Sequence, residues 1–198
     1  MFTYTHYKPY WDVTPLRSTL EYLIDRDYKI FWDTCSLVDR GAVPFWRQME
    51  SYLPAFLSPS RRMAIPYLVC CEMSRIAMAP VGRYGKDPEL ASRAQAALSR
   101  VRYLTEGGYA AIHKGGDEVL ADNTFQSVFL RYRTRSNLLL VTQDHNLAGD
   151  IRRIDLNRRG GNTSGFRVDV MRLDPDGSLL PHIFNNFTSN QRRFNYDC

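Results

Sequence analysis

Short apolar runs recur along this chain, and several stop abruptly at an acid or a hydroxyl. Leu138-Leu139-Leu140-Val141 ends at Thr142-Gln143-Asp144. A run that short and uniformly apolar predicts a strand buried on both faces, as in the middle of a parallel sheet. Tyr28-Lys29-Ile30-Phe31-Trp32 repeats the device and ends at Asp33-Thr34. Arg62-Met63-Ala64-Ile65-Pro66 and Tyr109-Ala110-Ala111-Ile112-His113 read as two further short strands. Phe166 to Leu173 alternates apolar and polar residues, the pattern of a strand at a sheet edge.

The intervening segments carry helical periodicity. Leu16, Leu20, Leu23 and Ile24 share one face of a helix that Thr14 would cap and Pro15 would open. Val43 to Leu57 reads as one amphipathic helix interrupted near Pro54. Tyr67 to Ala77 is apolar nearly all round, hence expected to be buried, and Glu89 to Leu104 has an apolar inner face. Asp117 to Leu130 and the residues from Asn146 to Arg153 complete the series. Strands alternating with helices predict an α/β fold, a doubly wound parallel sheet of about five strands flanked by helices, with an extra N-terminal arm and helix. The expected divisions are 1–27 for the arm and helix, 28–173 for the sheet domain and 174–198 for a polar, Asn-rich tail.

Length and charge narrow the picture without deciding it. A chain of 198 residues is long enough for one well-formed core. Its formal net charge of +5 is mildly basic and favours polyanions only weakly. Cys35, Cys70, Cys71 and Cys198 contain no C-x-x-C pair, and His6, His113, His145 and His182 are scattered, so a zinc site is not expected. Buried free thiols and the lack of a bilayer-length apolar span lead to the expectation of a cytoplasmic protein.

The candidate chemistry lies in the acids. Asp33 and Asp144 both follow parallel strands, so both are expected at the carboxyl edge of the sheet, where α/β folds bind ligands. The competing reading is that each caps the next helix. Glu72 sits inside an apolar run, where it needs a partner: either Arg75, three residues on, or a metal shared with the strand-end aspartates. Asp117 and Asp122 diverge by about 140° on an ideal helix, and Asp117, nearer the N-terminus, is better placed for a loop-edge site. Arg131, Arg133 and Arg135 suit a helix C-terminus, with an RNA-facing patch as the other reading. No nucleophile elbow, phosphate loop or dinucleotide fingerprint occurs. Clustered carboxylates raise one another's pKa, and a hard dication with oxygen ligands, Mg²⁺ or Mn²⁺, relieves that repulsion.

The segments Phe31-Trp32-Asp33-Thr34, Ile65 to Glu72, Gly116 to Ala121 and Leu140 to Leu147 resemble, in order, the four acidic motifs of the PIN-domain nucleases. The resemblance implies a doubly wound sheet and a Mg²⁺- or Mn²⁺-dependent endoribonuclease that hydrolyses RNA to 3′-hydroxyl and 5′-phosphate ends. It assigns Asp33, Glu72, Asp117 and Asp144 to catalysis and metal binding, with Thr34, Thr142, Asn146 and Ser36 in support and Asp122 as the alternative third acid. Cys35 departs from the family pattern, in which Asn or Ser is common. Arg75, Lys114, Arg131, Arg133 and Arg135 are the candidate RNA contacts. A non-catalytic RNA-binding scaffold and a toxin held by a protein antitoxin are the alternatives.

Overall fold

The computed structural model describes residues 16–79, 87–114, 121–156 and 165–182. The expected N-terminal arm up to Trp11, the basic loop 81–86, the Gly115-Gly116 turn, Asp117, the basic loop at Arg158-Arg159 and the end of the tail lie outside these residues. The strands are β1 (Lys29–Trp32), β2 (Met63–Pro66), β3 (Ala110–His113), β4 (Leu138–Val141), β5 (Val168–Leu173) and β6 (Leu179–Pro181). They form one sheet in the order β3-β2-β1-β4-β5-β6, parallel except for β6, which runs antiparallel to β5. The α/β architecture with a mostly parallel sheet is therefore as the periodicity predicts. All four residues of β2 and of β4 are buried, as central strands covered on both faces must be.

The helices are α1 (Leu16–Asp25), α2 (Thr34–Leu37), α3 (Ala42–Met49), α4 (Tyr67–Met78), α5 (Pro88–Glu106), α6 (Ala121–Tyr132) and α7 (His145–Leu156). Alternation along β1 sends Trp32 against Phe45 and Trp46 of α3, with ring centroids 5.1 and 4.8 Å away. Its neighbour Phe31 meets Phe129 of α6 at 5.1 Å. Successive strand side chains face opposite ways, so α3 and α6 cover opposite faces of the sheet. These aromatics are core, which accounts for the Trp and Phe of α3 without any base-stacking role.

Three expectations need correction here. The helix expected over Val43–Leu57 is α3 followed by a 3-10 stretch, Glu50–Phe56, that contains Pro54. Proline supplies no N–H for α-helical bonding, so the tighter turn takes over. Helix α4 buries Val69 and Met73, but Tyr67 and Met78 are exposed, so it is apolar on more sides than it buries.

The third concerns β5, which is not an edge. The stretch expected to be a tail turns at Asp174–Ser178 and returns as β6, leaving β3 and β6 as the two edges. In that turn the Gly177 N–H donates to the Asp174 carbonyl at 2.8 Å, and Gly177 has a φ of +89°. A Cβ at Gly177 would lie 2.4 Å from the Phe45 nitrogen, so glycine is what lets the hairpin pack against α3. Among the described residues, no helix is long and apolar enough to cross a membrane.

Candidate acidic site at the carboxyl edge

Strands β1 and β4 are neighbours in the sheet, but from their carboxyl ends the chain departs in opposite directions, toward β2 and toward β5. Such a reversal opens a crevice outside the strand ends. Asp33 and Asp144 follow these two strands and flank it.

Asp33 is buried, 5 % exposed. One of its oxygens, Oδ1, accepts the Thr34 N–H at 2.7 Å and caps α2, while Oδ2 accepts the Thr142 hydroxyl at 2.7 Å. Thr142 thereby ties the end of β4 to the end of β1. Its Oγ1 also accepts the Asp144 N–H at 3.0 Å. Its own N–H donates to the Met171 carbonyl at 3.0 Å. Buried His182, just past β6, gives its Nε2–H to the Thr142 carbonyl at 2.7 Å. Sequence reasoning missed His182 because its value depends on β6 returning to the sheet.

Glu72 reaches the same place from α4, its Oε2 accepting the Thr34 hydroxyl at 2.5 Å. The Arg75 ion pair that was one expected partner does not form among the described residues, and Arg75 is exposed one turn further along α4. Asp144 is an N-cap as well as an edge acid: Oδ1 accepts the N–H of Asn146 at 2.6 Å and of Leu147 at 3.1 Å. Asn146 is exposed in the first turn of α7. Ser36 is fully buried in α2, and its hydroxyl has no hydrogen-bond partner among the described residues.

Asp122, in the first turn of α6, joins this group. Partial burial raises its pKa, and Asp144, Glu72 and Asp150 push it further in the same direction. Burial likewise raises Asp33, to about 7, against the pull of its Thr142 and Thr34 hydrogen bonds and with help from Asp122 and Glu72. Asp122 is thus within electrostatic reach of Asp33, Glu72 and Asp144, and Asp33 of Glu72, whereas Asp117 lies outside the described residues.

Asp150 of α7 was not singled out from the sequence. Its carboxylate takes the Gln126 amide at 3.2 Å and pairs with Arg153 at 2.7 Å, bridging α6 and α7. The available signal was its spacing of four from Asn146, which places both on one helix face.

Among the described residues, no group of three His, Cys, Asp or Glu side chains is arranged to hold a metal ion as it stands. The four carboxylates offer oxygen donors alone, the chemistry of a hard cation, and the His182 imidazole, within electrostatic reach of Asp144, is committed to the Thr142 carbonyl through Nε2. Among the described residues, Oδ2 of Asp144, Oε1 of Glu72 and the Asp122 carboxylate take no hydrogen bond.

The predicted RNA contacts divide by location. Lys114 follows β3 at the carboxyl edge and is exposed. Arg131, Arg133 and Arg135 lie at the far end of α6, at the edge where the parallel strands begin, so they do not border the acids. Helix α6 runs back across the sheet between its acidic start and its basic end, a span of about 18 Å at 1.5 Å per residue. No family model matches the chain, and no curated protein sequence matches it.

Proposed function

We propose that the chain is a Mg²⁺- or Mn²⁺-dependent endoribonuclease of PIN type, cutting RNA at the crevice between the ends of β1 and β4. One observation carries this reading: acids from four separate elements converge at the strand-order reversal, and Asp33 and Asp122 are both driven toward protonation there, each in part by other members of the group. A structural role does not call for such mutual repulsion, whereas binding a dication offsets it.

Asp33 and Asp144 would hold the cation, Glu72 and Asp122 would complete its shell or orient water, and Asp117 is the other candidate for the third position. A bound dication would supply an activated water and neutralise charge on the scissile phosphate. The residues' own contribution is orientation. Thr142 fixes Asp33 and the Asp144 backbone with a single hydroxyl, and Thr34 fixes Glu72. The start of α7, whose Asn146 and Leu147 N–H groups are already capped by Asp144, adds only its helix dipole toward a phosphate.

A second reading has its own support. Asp33 and Asp144 both cap helices, and no group of three ligands is pre-arranged among the described residues, as in an RNA-binding scaffold without hydrolysis. Labelled RNA incubated with Mn²⁺ and with EDTA separates the two. Cleavage in Mn²⁺ alone, abolished by Asp144→Asn, is the expected result. Asn also caps helices well, so this variant should melt at the wild-type temperature or above. Full cleavage by it would remove Asp144 from the site.

A further inference from the structure

The opposite edge of the sheet carries the contrary charge. Asn137 gathers the chain leading into three strands. Its carbonyl accepts the Lys29 N–H at 2.9 Å, its Nδ2 donates to the Arg26 carbonyl at 2.6 Å, and its Oδ1 accepts the Arg167 N–H at 2.8 Å. Arg133 donates to the Ile154 carbonyl and so joins the C-terminal ends of α6 and α7 on the same rim. Arg26, Arg131 and Arg135 are therefore brought to one side of the molecule, exposed, and none is ion-paired with an acid among the described residues. The rim's acids are largely committed: Asp27 to Arg61, and Asp169 to the Tyr28 hydroxyl with Arg167 nearby. Asp25, at the end of α1, takes no partner among the described residues, and Asp155 follows Ile154 in the last turn of α7.

Aromatic rings accompany these cations. Arg26 lies over the Tyr22 ring and Arg131 over the Tyr132 ring, each 5.7 Å from the centroid. Tyr132 is 39 % exposed and Phe166, just before β5, is 38 % exposed. An acidic protein surface would need only the charges. Cations interleaved with part-exposed aromatic rings suit a single strand, whose phosphates pair with arginine while its bases stack.

We infer that this amino rim, through Arg26, Arg131, Arg135, Tyr132 and Phe166, is a second surface that binds single-stranded RNA, on the side of the sheet away from the acidic crevice. The choice of RNA over other single strands rests on the nuclease reading; the stacking and phosphate chemistry does not. The rim would hold a long strand while another part of it occupies the crevice.

The test is fluorescence anisotropy of a labelled single-stranded oligouridine with the full chain, in EDTA so that no strand is cut. Replacing Arg26, Arg131 and Arg135 together by Gln should weaken binding at least about tenfold, and should lower the slope of log K against log salt by about 2, at about 0.7 per phosphate released. Tyr132→Ala should weaken binding with the slope unchanged. Wild-type affinity and slope in the triple variant would overturn the inference, as would a wild-type chain that binds no RNA at low salt. Polyglutamate competing as well as RNA at equal charge would overturn it in favour of an acidic protein partner. Binding of this kind without cleavage in Mn²⁺ would sink the nuclease and leave the rim standing.

Discussion

Asp33 shows what one buried carboxyl does to the molecule. Its pKa stands near 7 because burial outweighs two hydrogen bonds, so the folded state favours its protonated form relative to the unfolded chain. The sign follows: its stabilising contribution is complete below the ordinary aspartate pKa and is lost as pH rises through about 7. Melting temperature should therefore fall from about pH 4 to pH 7 more steeply in the wild type than in Asp33→Asn, measured without divalent cations. Equal slopes would mean that Asp33 is as well solvated folded as unfolded. The same scale decides the third acid. Asp122→Asn should reduce Mn²⁺-dependent cleavage by at least about a hundredfold, as loss of a group stabilising developing charge does. If Asp117→Asn does so instead, the assignment moves to Asp117.

Among the elements, the β5–β6 hairpin matters most, because it carries His182 to the Thr142 carbonyl and stands over α3. His182→Phe keeps the ring but leaves the Thr142 carbonyl without its donor, and should cost about 2 kcal/mol in urea unfolding. Gly177→Ala must place a Cβ against the Phe45 backbone at a positive φ, and should cost about 2–4 kcal/mol. Either variant unfolding at the wild-type midpoint would show that the hairpin is a dispensable appendage. Strand β6 was illegible because its three residues, Leu179-Leu180-Pro181, are too few to show a period. Helix α7 was legible because Asp144 and the apolar positions after it mark both its start and its inner face.

At the scale of the whole sheet, and among the described residues, the acid cluster lies where the parallel strands end, and the exposed Arg26, Arg131 and Arg135 lie where they begin. Cation binding at the acidic end should raise the melting temperature. At a concentration about a hundredfold above Kd the gain is about 2.7 kcal/mol, and EDTA should reverse it. An unchanged melting temperature in Mn²⁺ would favour the reading in which the acids serve only as caps.

The apolar runs and helical periods by themselves determined the α/β class, the five parallel strands and the pairing of Asp33 with Asp144 at one edge. Those properties follow from local burial and from the rule that parallel strands share an end. The convergence of Asp122 with Glu72, the hydrogen bond that takes Glu72 to Thr34 rather than to Arg75, and the approach of His182 to Thr142 were decided only by tertiary structure. Each depends on how elements far apart in the chain pack across the sheet, and spacing along one element cannot encode where another arrives. Position along the chain put Arg131 and Arg135 at a helix C-terminus, but only the course of α6 across the sheet decided that this end lies opposite the acids.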